Sequence, residues 1–326
     1  MGFLTKFGSF WGQIPQTSGR IFWVAPGDTY TVEGRTYPAS DNHDGLSPEK
    51  ALRTIDYAVG LCTANVGDVI VLLPGTHTIT TGTVTLDVAG ITITGIPGNQ
   101  PLHSDRSSGG GVRCRSQVTT SVAAGNIFTL TGAGDDVEIA WIHFTPITQG
   151  DGIIIPLGAD RPYIHDCTFA STGTASATSE CIHFSSSTTG SVTGAVIRNC
   201  YFLASGNQGP AIRALGTVYG LTIESCTFEL QGTAAWDDAI EVLDAGSLGT
   251  LIRDCDFNEP TSATTVITNC IDTTGCTADG NTHIYRCYFT GDDKVGVAAT
   301  ATPDILVADC WSAGTTAGRN NVQAAS

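Results

Sequence analysis

The sequence predicts an all-β fold, a single-stranded parallel β-helix (solenoid) opened by a short capping helix. Three observations carry this. The hexapeptide "IRNCYF" at 197–202 returns as "IHDCTF", "IESCTF", "IRDCDF" and "IYRCYF". A second, five-residue signature returns out of phase with the first. Between the two signatures no helical pattern of ten residues or more intervenes.

The first signature aligns Cys167, Cys200, Cys226, Cys255 and Cys287, with Cys310 in "VADCWS" as a degenerate sixth copy, at steps of 33, 26, 29, 32 and 23 residues. A repeat of about 28 residues with elastic loops is a solenoid period, and a solenoid grows along one axis without needing a second domain. Within "IRNCYF" the apolar places are first, fourth and sixth, so a bend must fall before the cysteine. The residue there is Asp166, Asn199, Ser225, Asp254, Arg286 or Asp309, mostly types that tolerate a left-handed backbone. One strand ends at the bend and the next opens with "C-x-F".

The second signature reads "ECIHF" (180–184), "PAIRA" (210–214), "DAIEV" (238–242) and "NCIDT" (269–273). Ile182, Ile212, Ile240 and Ile271 should face inward and the following residue outward. A coil that revisits the same face once per turn makes neighbouring strands parallel without helical crossovers. Phe144, Phe169, Phe202, Phe228, Phe257 and Phe289 then stack inside it, each contributing roughly 1.5–3 kcal/mol on burial.

The chain divides accordingly into an N-terminal arm (1–22), a cap and first turn (23–80), the β-helix proper (81–311) and a C-terminal tail (312–326). Ser47 and Pro48 read as N-cap and first residue of a helix over about 47–60, with Ala51, Leu52, Ile55, Ala58 and Val59 as its apolar stripe. The first buried strand is expected at "GDVIVLLPGTHTI". Phe3, Phe7, Phe10, Trp11, Phe22 and Trp23 make the arm far more aromatic than the rest and mark it as an interface or anchor.

The net charge is -16 from 31 acidic and 15 basic side chains, with no basic run, which argues against nucleic acid and anionic lipid as partners. No apolar run reaches membrane-spanning length, and the N-terminus lacks the hydrophobic core of an export signal. The aligned cysteines sit where parallel strands place side chains ~4.8 Å apart, too far for the ~3.8 Å of a bridge. Cys167, Cys200, Cys226, Cys255, Cys287 and Cys310 are therefore expected as a column of buried free thiols, suited to folding in a reducing cytosol.

The stretch "DGLSPEKALRTIDYAVGLCTANVGDVIVLLPGTHTI" resembles the cap and first turn of right-handed parallel β-helix proteins of the pectate-lyase-like superfamily, and "IRNCYF" resembles their repeated turn and strand. The resemblance spans about residues 41–311 and implies a right-handed coil. It is weak on function, since the superfamily contains lyases, glycoside hydrolases, epimerases, phage tailspikes and non-catalytic virion proteins.

On the outer face the column Ile154, His183, Arg213, Glu241, Asp272 offers two readings. Glu241 and Asp272, with Asp237 and Asp238 on the adjoining turn, are the candidates for a catalytic carboxylate pair. An alternating-charge ladder explains the same order without catalysis and is preferred. "WDDAIEV" faintly resembles the paired-aspartate motif of polygalacturonase-type hydrolases, but their Asn-Thr-Asp, Gly-His-Gly and Arg-Ile-Lys elements are missing. The acidic groups at Asp135, Asp136 and Glu138 and at Asp292, Asp293 and Lys294 read as solvated turns. The seven histidines show no paired spacing, so no metal and no cofactor is expected. Tyr201, Tyr288 and Trp311 share an outward face and are the candidates for stacking a glycan.

These readings point to a non-enzymatic structural protein of a phage particle, a capsid decoration or spike. It would fold in the host cytoplasm, join other capsid or tail proteins through the arm and, as similar proteins often are, be a homotrimer. The alternative is a tailspike-type depolymerase, a glycoside hydrolase or lyase, acting on a host-surface glycan.

Overall fold

The computed structural model describes residues 18–32, 34–97, 114–122, 125–147, 150–171, 179–186, 189–204, 209–230, 238–258, 269–273, 282–290, 297–298, 305–313 and 320–321. Among them most strands form two sheets of ten and one of eight, each strand of these pairing in parallel with its counterpart one coil away except at the very ends, and the remaining four strands form two two-stranded sheets. The molecule is a parallel β-solenoid. One coil shows the wiring: Val196–Arg198 lies in the first sheet, Tyr201–Ala204 in the second and Ile212–Ala214 in the third, and Thr222–Glu224 returns to the first.

The corner between the first and second sheets is where the bend was expected. Asp166, Asn199, Ser225, Asp254, Arg286 and Asp309 have φ between 49° and 55°, as does Trp141 at the matching place in "IAWIHF". A left-handed conformation costs an L-residue roughly 1–2 kcal/mol. Side-chain bonds between coils support several of these positions: Asn199 Nδ2 donates to Asp166 Oδ1, and the Arg286 guanidinium grips both oxygens of Asp254 at 2.8 and 2.7 Å.

Just past the corner the cysteines are buried and free. Each thiol of the column donates to the carbonyl two residues earlier, as Cys200 does to Arg198 at 3.3 Å, and approaches a carbonyl of the preceding coil, for Cys200 that of Ile164 at 3.8 Å. Burial pushes the thiols of Cys167 and Cys226 well up, so they stay protonated. The phenylalanines from Phe144 to Phe289 stack face to face with ring centroids 4.8–5.0 Å apart and planes within 11°. In the third sheet Ile153, Ile182, Ile212, Ile240 and Ile271 pair in register and are all buried.

The cap departs from expectation in two ways. The helix is split: a 3-10 turn at Pro48–Lys50 ends in extended backbone at Ala51, and the α-helix runs Ile55–Leu61, capped by Thr54, whose hydroxyl accepts from the Tyr57 amide. Asp41 enforces the break, because its carboxylate accepts from the Arg53 and Thr54 amides at 2.9 and 3.0 Å. The apolar stripe is nonetheless buried throughout. The coil also begins earlier than expected, with Ile21–Val24 pairing in parallel with Val69–Leu72.

Phe22 and Trp23 are therefore core residues rather than contact surface. Phe22 enters the main core; Trp23, on the opposite face of its strand, lies in a second cluster with Tyr30 and Val32 of the hairpin Thr29–Val32/Arg35–Pro38. The other aromatic anchors, Phe3, Phe7, Phe10 and Trp11, lie outside the described residues. No helix among the described residues is long and apolar enough to cross a membrane.

Candidate functional site

The outward column of the third sheet is in register as the signature implied: Ile154 pairs with His183, His183 with Arg213, Arg213 with Glu241, and Glu241 with Asp272. Alternation along each strand turns the inward isoleucine's neighbour to the outer face, so the charges line up by coil spacing alone. Asp238 starts the strand Asp238–Val242 opposite Asn269 and comes together with Glu241 and Asp272, one carboxylate oxygen of each lying within 4.8 Å of the others. Asp237 lies outside the described residues.

Two further carboxylates join this face, and the sequence reading passed over both. They are Asp151 and Glu180, which open "DGIII" and "ECIHF". The heads of the two strands are tied by one repeated contact, in which a side-chain oxygen one coil back accepts the backbone amide of the next. Asn126 Oδ1 accepts from the Asp151 amide at 2.9 Å, and Asp151 Oδ1 accepts from the Glu180 amide at 2.9 Å. The first place of the pentapeptide, Asp, Glu, Pro, Asp and Asn in successive copies, held the signal.

The resulting network is continuous. His183 Nδ1 lies 2.9 Å from Asp151 Oδ2 and 3.7 Å from Glu180 Oε2; Arg213 reaches Glu180 Oε1 with Nη1 at 3.0 Å and Glu241 Oε2 with Nε at 2.6 Å. It is also largely closed to solvent, with Glu180 1% and Asp151 6% exposed. Burial works to raise the Asp151 carboxyl, but bonds from His183 and Glu180 outweigh it and hold the group below its usual range. Burial and the neighbouring Asp151 push Glu180 up to about 7, against the pull of Arg213. The His183 ring, disfavoured as a cation by burial, is carried above its ordinary value by Asp151 and Glu180.

The other candidates separate. Tyr201, Thr227, Asp256, Tyr288 and Trp311 occupy one register column of the second sheet, so Tyr201 stands three coils from Tyr288. Its hydroxyl donates to Glu229 at 2.6 Å. Tyr288 and Trp311 are adjacent and each 41% exposed. Asp136 pairs with Arg161 at 2.7 Å on the surface. Glu138 instead belongs to a half-buried group on the first sheet, accepting from His165 Nε2 at 2.9 Å and from Thr92 at 2.9 Å. Asp292, Asp293 and Lys294 lie outside the described residues.

Fold and face together define a class: a parallel β-solenoid with a stacked apolar interior and a charged, mutually paired column on one outer sheet. No protein-family model matches the chain, and no curated protein matches it. Among solved structures, a rhamnogalacturonan lyase is similar with a TM-score of 0.52 and 14% identity over 84% of this chain and 70% of that one. ORF18 of Geobacillus virus E2 is similar at a TM-score of 0.40 and 11% identity, over 80% of this chain and 57% of that one. Pectin methylesterase PemA from Erwinia chrysanthemi is similar at a TM-score of 0.47 and 12% identity, over 94% and 92%. At these identities the likeness is one of fold alone: the chain shares the parallel β-helix fold of the rhamnogalacturonan lyase.

Proposed function

We propose that the chain is a non-enzymatic structural component of a phage particle, a capsid decoration or spike, that folds in the host cytoplasm and acts on the virion. One observation carries this reading. The charged column spends its side chains on one another across successive coils, with Glu180 and Asp151 buried in the process. An array so engaged rigidifies a rod; a general acid or nucleophile has to face its substrate. The free, buried thiols agree with folding in a reducing compartment. The net charge of -16 makes other proteins, rather than nucleic acid, the fitting partners. Attachment falls to Phe3, Phe7, Phe10 and Trp11, with Phe22 and Trp23 removed from that role by their burial, and assembly as a homotrimer is part of the same proposal.

Deleting residues 1–17 tests it. The shortened chain should stay soluble with an unchanged circular dichroism spectrum and no longer co-sediment with particles; undiminished co-sedimentation would overturn the attachment.

A second reading, a tailspike-type polysaccharide depolymerase, is favoured by the convergence of Asp238, Glu241 and Asp272. Purified protein on polysaccharide overlays separates the two. Clearing that Glu241→Gln abolishes would establish the enzyme and remove the structural reading.

A further inference from the structure

The group formed by Asp151, Glu180 and His183 differs in kind from the all-carboxylate group beside it. Each of its carboxylates commits one oxygen to the protein. Asp151 Oδ1 accepts the Glu180 amide at 2.9 Å, and Glu180 Oε1 accepts Arg213 Nη1 at 3.0 Å. Each turns its other oxygen toward the same imidazole nitrogen, Oδ2 at 2.9 Å and Oε2 at 3.7 Å from His183 Nδ1. The three donor atoms lie within 4.8 Å of one another.

Ligand bonds of ~2.0–2.2 Å, opened by angles between square and tetrahedral, put neighbouring donors about 2.9–3.5 Å apart. The spacings at His183 Nδ1 are close to that span before any ion draws the donors in. The bonds from the Glu180 amide and from Arg213 are the outer contacts that fix ligating carboxylates in orientation. Among the described residues His183 Nε2 is buried without a hydrogen-bond partner, and the contacts that place the ring are the two carboxylates at Nδ1.

We infer that Asp151, Glu180 and His183 form a binding site for a divalent transition-metal cation that clips two successive coils together. Asp151 comes from one coil and Glu180 and His183 from the next, so the ion ties the coils through side chains as the sheets do through backbone. Two hard carboxylate oxygens with one imidazole nitrogen suit Mn2+, Co2+ or Zn2+ better than Ca2+, which prefers a larger set of oxygens. The inference is independent of the virion reading, since a clip of this kind serves an enzyme's scaffold equally well.

The test uses the full chain, dialysed against chelator and then titrated with MnCl2 by calorimetry and with CoCl2 by visible absorption. The expected result is saturable binding at one ion per chain, a rise in melting temperature, and loss of at least about tenfold in affinity in Asp151→Asn and in His183→Gln. Asp272→Asn, in the neighbouring carboxylate group, should bind as the parent does. Should Asp151→Asn fail to fold, Glu180→Gln takes its place. Absence of saturable binding, binding unchanged in His183→Gln, binding lost in Asp272→Asn, or a response to CaCl2 equal to that to MnCl2 would each overturn the site.

Discussion

Along the interior of the coil Phe144, Phe169, Phe202, Phe228, Phe257 and Phe289 each meet their own kind; on the outer face of the third sheet the column runs Ile154, His183, Arg213, Glu241, Asp272, with no residue type meeting itself. The same ~4.8 Å coil spacing imposes both. Apolar side chains gain from identical neighbours, because every ring buries the faces of the rings above and below. Charged side chains at that spacing need counter-charges. Within the column only Arg213 and Glu241 are opposite neighbours. His183 beside Arg213 is offset by Asp151 and Glu180 at the strand heads, and Glu241 meets the like-signed Asp272 at the far end. Repetition in a solenoid therefore reports the core, and variation within the repeat reports the face where charge is concentrated.

The largest effect is expected from breaking the interior. Phe202→Ala removes a fully buried ring held between Phe169 and Phe228, at centroid distances of 5.0 and 4.8 Å. The cavity and the two bared faces should cost about 3–5 kcal/mol, read from urea unfolding followed by circular dichroism. Arg213→Met tests the outer column. It leaves Glu180 and Glu241 without the cation they share. The cost should be about 3 kcal/mol, near the lower end for a broken buried pair because Arg213 is partly exposed. Adding Glu180→Gln to Arg213→Met should restore part of the loss, whereas no second substitution outside the core should restore Phe202→Ala. A double-mutant cycle measures the coupling, and additivity of the two outer substitutions would contradict the ladder.

The contrast also decides what could be read before any coordinates. The inward isoleucines, the phenylalanine and thiol columns and the left-handed corner at Asn199 and its counterparts were legible, because each recurs at one place in a short signature. The order of His183, Arg213, Glu241 and Asp272 was legible too, once the signature fixed their register. Asp151 and Glu180 were not, because the partners that fix their carboxylates, the Glu180 amide and His183 for Asp151 and Arg213 for Glu180, lie 29, 32 and 33 positions away in the chain. The histidines likewise showed no metal spacing in sequence, since the donors around His183 come from two coils. Phe22 and Trp23 read as an exposed arm because their covering partners, Val69–Leu72 and the hairpin at Tyr30, lie elsewhere in the chain. The helix break at Ala51 depends on Asp41, which no local helix signal contains.

The first sheet offers a gentler version of the same contrast, one that pH can reach. His165 is clamped from both sides, Nε2 to Glu138 Oε1 at 2.9 Å and Nδ1 to Asp166 Oδ2 at 2.8 Å, with Tyr163 stacked on the ring at 4.3 Å and Arg198 opposite in the next coil. Burial works against the charged ring, but the two carboxylates outweigh it and raise the histidine to about 9. A value raised above the unfolded ~6.5 means that folding favours the protonated form. The resulting stabilisation is present in full below about pH 6.5 and fades as pH climbs through about 9. Comparing the parent with His165→Asn removes the titrations they have in common. Their difference in unfolding free energy should be largest near pH 6, about 2 kcal/mol after allowing for solvent screening at this half-buried site, and should shrink steadily toward pH 9.5. In the Phe202→Ala comparison the difference should stay flat over the same window, since burial in the same core keeps the thiols of Cys167 and Cys226 protonated throughout it. A difference for His165→Asn that is also flat from pH 6 to 9.5 would mean that the ring is neutral between its two carboxylates, and that this outer face is held by shape, as the interior is, rather than by charge.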